Sequence, residues 1–225
     1  MKTDILIYSG SISAISAALV LKSQGKDVLL FTHRNYLGED LCDSLRLRLP
    51  EDLDLSHPLA KRLYTDAVTQ GQTLRPMHIK HELDQVLAEA DIPVMLGNAP
   101  AEFIRDEDGL LEGLRVHNRS GDFEISFDTL IDGSLQGDLF RLAGVPLTAP
   151  HSNIEVTRRV IGGEATAVAD WKKEGTVSFK DGETTRTEPL WSYTTTETLK
   201  DSSWASWMDL EQSIRMQAYR PGQDQ

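Results

Sequence analysis

The spacing of apolar positions changes along this chain, and each change predicts a different element. Ile5-Leu-Ile-Tyr8 is a nearly continuous run of strand formers, the pattern of a central parallel strand buried on both faces. Such a strand is expected to carry helices on both sides. Over 11–24 the residues Ile12, Ile15, Ala18, Leu19 and Leu21 keep helical spacing, and Gly25 supplies a left-handed stop. Val28-Leu-Leu-Phe31 reads as the next buried strand. The right-handed crossover rule sets it beside and parallel to the first, with the helix packed across both. The carboxyl ends of the two strands then line a crevice.

Residues 35–55 are rich in Asp, Glu and Arg and predict no regular element. His57-Pro58 precedes a helix over 59–69 with Leu59, Leu63, Ala67 and Val68 at its apolar positions. Pro76 opens another helix, in which Ile79, Leu83, Val86, Leu87 and Ala90 form a buried stripe. A short strand over 93–96 follows. Residues 103–104, 111–117 and 122–127 predict three antiparallel strands joined by hairpin turns at Asp108-Gly109 and Ser120-Gly121. Residues 129–132 then return to the parallel sheet. After Pro150 the pattern becomes β-rich: a strand over 154–161, a break at Gly162-Gly163, and a hairpin of 176–179 with 184–196 around Asp181-Gly182. A final amphipathic helix after Ser203 carries Trp207, Leu210, Ile214 and Ala218 on one face, and 221–225 is a frayed tail.

Composition narrows the functional classes. The 225 residues are 40% hydrophobic and 26% charged, ordinary values for a globular protein with a real core. A net charge of -12 disfavours nucleic acid, whose binding rests on clustered Lys and Arg. A single cysteine, Cys42, excludes an internal disulfide and any Cys-x-x-Cys site, which fits a reducing compartment. The N-terminal apolar residues, interrupted by Asp4, Ser and Gly, fit a folded domain better than a secretory signal. No apolar run approaches the ~18 residues of a membrane span, so a cytoplasmic protein without a membrane partner is expected. His78 and His81 have a spacing that shares a metal, but no companion ligand cluster accompanies them, and no metal is expected.

The order of parts then runs strand, turn at Ser9-Gly10-Ser11, helix, strand, Leu37-Gly38, helix, strand, meander, and Ile131-Asp-Gly-Ser-Leu-Gln-Gly-Asp138-Leu-Phe-Arg-Leu-Ala-Gly-Val-Pro146. Over residues 3–147 this resembles the FAD-dependent oxidoreductases of the two-dinucleotide-binding-motif class. Gly137-Asp138 and Ala143-Gly-Val-Pro146 look like that family's Gly-Asp and Ala-Gly-Val-Pro. The resemblance implies an α/β fold: a Rossmann-like FAD/NAD(P)-binding parallel sheet with an antiparallel β-meander, plus a small β-rich C-terminal extension. It implies a Rossmann-like domain over 1–148, with the meander at 99–127, and a truncated, substrate-domain-like extension over 149–225.

FAD is the implied cofactor, and the implied cofactor-binding positions are Ser9, Gly10, Ser11, Ala14, Thr32, Gly38, Gly137 and Asp138. In such a turn the first glycine permits the bend, the second lets backbone approach the pyrophosphate, and the third packs helix on strand. Ser9, Ser11 and Ala14 fall on those positions. Thr32 falls where a ribose-binding acid belongs, Pro100 falls near the adenine-holding strand, and Gly133-Ser-Leu-Gln136 stands for the family's Ala-Thr-Gly-Asp. Asp138 is either a flavin-side ligand or the N-cap of a helix starting at Leu139. The chain is expected to end too early for both a full substrate domain and the segment that such flavoproteins return to the flavin.

The expected function is therefore a relative of the FAD-dependent oxidoreductases with an eroded flavin site, acting as a non-catalytic or accessory subunit. The alternatives are an active flavoenzyme that completes its site with a second copy or a partner chain, and an interaction module without a ligand. No residue stands out as a catalytic acid or base. The aromatic residues Trp171, Trp191, Tyr193, Trp204 and Trp207 read as core, or as a surface buried against a partner.

Overall fold

The opening apolar run becomes β1 (Lys2–Tyr8), whose residues from Ile5 to Tyr8 are all buried. In this computed structural model the described residues are 1–43, 49, 53–69, 74–148, 154–162, 171–181, 184–201 and 203–217. The chain divides into two units, Met1–Pro146 and Leu147–Gln225.

In the first unit β1 is followed by α1 (Ile12–Ser23), β2 (Val28–Thr32), the one-turn α2 (Glu39–Cys42), α3 (Pro58–Thr69), α4 (Pro76–Glu89) and β3 (Val94–Leu96). The meander then adds β4 (Ala99–Arg105), β5 (Leu111–Asn118) and β6 (Gly121–Asp132), before α5 (Asp138–Leu142). The sheet order is β3-β2-β1-β6-β5-β4. β1 lies between β2 and β6 and is parallel to both, with Ile7 opposite Leu30 on one side and Ile131 on the other. Gly25, at φ +80°, ends α1: its N–H bonds Lys22 O and the N–H of Lys26 bonds Leu21 O, closing the last turn.

Alternation along the parallel strands divides the core in two. Ile5, Ile7, Val28 and Leu30 point to one face, against Ala14, Ile15 and Ala18 of α1, Leu59 and Leu63 of α3, and Ile79, Leu83 and Leu87 of α4. The α4 stripe recurs every four residues and is at most 1% exposed, worth roughly 1.5–3 kcal/mol for each side chain. Val86 and Ala90 pack against the edge of this core, as their spacing predicts. The predicted apolar positions Ala67 and Val68 lie outside the described side chains.

Leu6, Tyr8, Leu29 and Phe31 point to the other face, and two sequence expectations change there. Their partners are Leu114 and Val116 of β5, Ile125 of β6 and Leu139 of α5. Meander side chains, not a second helix layer, close this side, because an apolar strand face specifies burial and not the element that provides it. The strands expected at 122–127 and 129–132 are also one element. β6 runs unbroken for 12 residues, pairing antiparallel with β5 through its first half and parallel with β1 through Asp132. Asp128, between the two expected strands, is an exposed position on this one strand.

The second unit is a three-stranded antiparallel sheet in the order β7-β9-β8, made by β7 (Ile154–Ile161), β8 (Lys172–Asp181) and β9 (Thr184–Glu197), followed by α6 (Trp204–Gln217). Val160, Val177 and Leu190 are buried, one from each strand. The rings of Trp171 and Tyr193 meet at 5.8 Å. Ser203 starts α6 by accepting the Ser206 N–H at 3.2 Å, and Ile214 is buried. Trp207 and Leu210 are half-buried, while the predicted Ala218 and the tail 221–225 lie outside the described residues.

Candidate functional site

At the carboxyl end of β1 the chain turns into α1 through Ser9, Gly10 and Ser11. Ser9 holds φ at +116°, a value that glycine adopts freely and other residues rarely. Its Oγ accepts the Ser11 N–H at 3.0 Å and donates to Glu39 Oε1 at 2.6 Å. Ser11 is the N-cap of α1: its Oγ accepts the Ala14 N–H at 3.2 Å and lies 3.0 Å from Gly133 O, to which it donates. Both serines are buried. Ala14 packs so closely on the end of β6 that a Cβ at Gly133 would lie 2.7 Å from its own Cβ.

The loop after β2 closes over this turn. Gly38 donates its N–H to Gly10 O at 2.7 Å, and a Cβ on Gly10 would lie 3.3 Å from Tyr36 O. Gly38 itself has φ +81° and leaves 3.0 Å between an added Cβ and Leu83 Cδ1, so both conformation and space select glycine. The residues that follow turn two carboxylates onto the β1–α1 turn. Asp40 accepts the Ile12 N–H on both oxygens, at 3.3 and 3.2 Å. Glu39 takes the Ser9 hydroxyl on one oxygen and that of Thr32 on the other, the latter at 3.3 Å. Thr32 is fully buried, and its Oγ1 also accepts the Arg34 N–H. Arg34 pairs with Asp43 at 2.7 Å, and Tyr36 donates its hydroxyl to the same carboxylate.

At the end of β6 a second aspartate organises a second helix start. Asp132 accepts from the N–H and hydroxyl of Ser134 on one oxygen and from the N–H groups of Leu139 and Phe140 on the other. This corrects the capping role read for Asp138. The N-cap position is Gly137, at φ +67°, with no side-chain cap, and Asp138 is already the first residue of α5. Asp138 is half-buried instead, and burial, with Asp132 adding to it, raises its carboxyl above the ordinary range against the opposing pull of His33 and Arg141. Tyr8 bonds His33 Nδ1 through its hydroxyl at 2.9 Å, and burial, reinforced by Asp138, Glu39 and Asp132, raises its phenol. Burial also raises the Asp40 carboxyl, although the Ile12 N–H lowers it. Acids thus gather at the carboxyl ends of β1, β2 and β6.

A model of the family described as FAD dependent oxidoreductase matches residues 4–221. The chain belongs to this family. Among solved structures it is similar to CabE, an aromatic hydroxylase from angucycline biosynthesis, at 11% identity and a TM-score of 0.51, covering 96% of this chain and 49% of that one. It is also similar to a flavoprotein/dehydrogenase from Cytophaga hutchinsonii at 13% identity and a TM-score of 0.50, covering 86% of this chain and 56% of that one. These likenesses speak for the fold, and the chain spans about half the length of either protein. No curated protein matches the chain.

Within the family frame, Ser9, Gly10, Ser11, Ala14, Thr32 and Gly38 gather around one turn, joined through Glu39 and the Gly38–Gly10 bond. Gly137 and Asp138 stand at the neighbouring start of α5. Pro100 sits on the edge strand β4 opposite Val116, next to a register shift, where a missing N–H is tolerated. Glu39, Asp40, Asp132 and His33 escaped the sequence reading. The sequence signal was the acidic pair directly after Gly38, but nothing local shows that these carboxylates turn back onto a helix 28 residues upstream. Cys42 is buried, and desolvation raises its thiol against the pull of Lys80. Among the described residues no group of acids, histidines and cysteines suits a metal ion, and no helix is long and apolar enough to cross a membrane.

Proposed function

We propose that this member of the FAD-dependent oxidoreductase family does not hold a flavin of its own and acts as a non-catalytic, accessory subunit of a cytoplasmic oxidoreductase complex. The observation that carries the reading is the Asp40 carboxylate bonded to the Ile12 N–H at the start of α1. A dinucleotide places its pyrophosphate at that helix start, against free N–H groups and the positive end of the helix dipole. Here the Ser11, Ile12 and Ala14 N–H groups are bonded to Ser9 Oγ, Asp40 and Ser11 Oγ. A diphosphate would meet occupied donors and the like charge of Asp40 and Glu39. Arranged in this way, the residues do not fit FAD, whose hydride chemistry is the family's. A second copy of the chain or a complementary flavoprotein subunit is the proposed partner.

A second reading, an active flavoenzyme, draws on two features. Ser9 keeps a glycine-like φ, so the shape of a nucleotide turn persists. Glu39 also brings a carboxylate to the Thr32 hydroxyl, near the place where the sequence lacks a ribose-binding acid. Incubation with excess FAD at neutral pH, followed by desalting and an absorbance spectrum, separates the two. The accessory reading expects a colourless protein; a stoichiometric yellow one would overturn it. Light scattering on the same sample tests self-association.

A further inference from the structure

The acid on α1 is not needed to cap it. Ser11 already serves as N-cap, bonding the Ala14 N–H and reaching across to Gly133 O. Asp40 comes from a separate element, α2, where it also takes its own N–H and that of Leu41, and it adds an acceptor at the Ile12 N–H. That element is fastened from several sides. Gly38 bonds Gly10, Glu39 spans the Ser9 and Thr32 hydroxyls, and Asp43, at its end, takes Arg34 and Tyr36. The fastening aims a carboxylate, two oxygens on a flat charged group, at the spot where a phosphate would place its own.

We propose that Asp40 is an internal stand-in for a diphosphate: a latch, carried on α2, that keeps the start of α1 closed to dinucleotides and whose neutralisation opens it. This rests on the reading of a closed flavin site and deepens it by naming the residue that does the closing. The latch differs from a loss of the site. Gly10 keeps its backbone free of a side chain, Ser9 keeps the turn's conformation, and α1 keeps its dipole, so the anion-binding frame remains beneath the carboxylate. Asn at position 40 preserves size and one acceptor oxygen but removes the charge. Its N–H groups also offer donors to a phosphate oxygen.

The test is calorimetric titration of the wild-type chain, D40N and D40S with ADP, with FAD, and with riboflavin, which has no phosphate. D40S supplies a smaller neutral side chain should Asn distort α2, and circular dichroism confirms that each variant is folded. Both variants are expected to bind ADP and FAD roughly tenfold or more tightly than wild type, since a like charge at a helix start is removed. Riboflavin affinity should not change. If folded D40N and D40S bind ADP no more tightly than wild type, the latch is refuted, and a loss of stability without that gain would mark Asp40 as a structural cap alone. The two readings fail separately. Flavin held by the wild type overturns the closed site, whereas silence from all three proteins overturns the latch and leaves the closed site standing.

Discussion

Two helices in the first unit receive an aspartate at their starts, and the two carboxylates do different work. Asp132 lies at the end of β6, and its acceptors serve four donors within the next eight residues. It shapes the chain immediately after it. Asp40 reaches α1 from 28 residues downstream, where Ser11 already caps the helix, and it also accepts from its own N–H and that of Leu41 at the start of α2. The first acts within its own segment, and the second ties α2 to the start of a helix far upstream. Sequence distance therefore separates the two carboxylates, although both sit on a helix N-terminus.

The largest test of this contrast is at Gly133, where the two helix starts meet. A Cβ there would lie 2.7 Å from Ala14 Cβ and 3.1 Å from Tyr8 O, against a helix and a strand that have little room to give. Gly133→Ala is expected to cost about 3 kcal/mol in urea unfolding, the upper range for overpacking. Next comes Asp132→Ala, which strands the Leu139 and Phe140 N–H groups and frees Ser134. About 2 kcal/mol is expected, and a change below about 0.5 kcal/mol would collapse the contrast.

The smallest effect belongs to Asp40→Asn, and its pH dependence carries the information. Because burial raises the Asp40 carboxyl in the folded protein, its contribution is fully present below the unfolded value of ~3.9 and fades as pH rises through the raised folded value. Wild type should gain on D40N in acid and lose that advantage toward neutrality, where D40N should be equal or slightly more stable. Urea midpoints for both proteins across this range check the sign. An advantage of wild type that grows with pH would put Asp40 with Asp132 as a structural cap.

Much of this frame was legible because its signals are local. The run from Ile5 to Tyr8, the spacing of Ile79, Leu83 and Leu87, and the Gly25 stop each follow from a few adjacent residues, and all appear in the structure. The continuous β6 was less legible, since its alternation changes phase between Phe127 and Leu130, which pack on the same core. The site was legible at Ser9 and Thr32, whose departures from the family pattern mark the place. What stands opposite them was not. Whether an acid in an irregular stretch faces solvent or folds back depends on the chain path from Gly38 onward, and that path is set by Leu83 and Ile79 of a helix about 40 residues later.

The position of β1 in the sheet also bears on how the protein emerges from the ribosome. One edge of β1 is taken by β2 almost at once, but the other pairs with β6 from Ser126 to Asp132, and even the first residue bonds there, Met1 donating its amino group to Glu124 O. At ordinary rates of synthesis that partner emerges about 5–20 s after β2. Throughout this interval the nascent chain carries an apolar strand with an open edge, which makes it a substrate for chaperones and for mispairing with its neighbours.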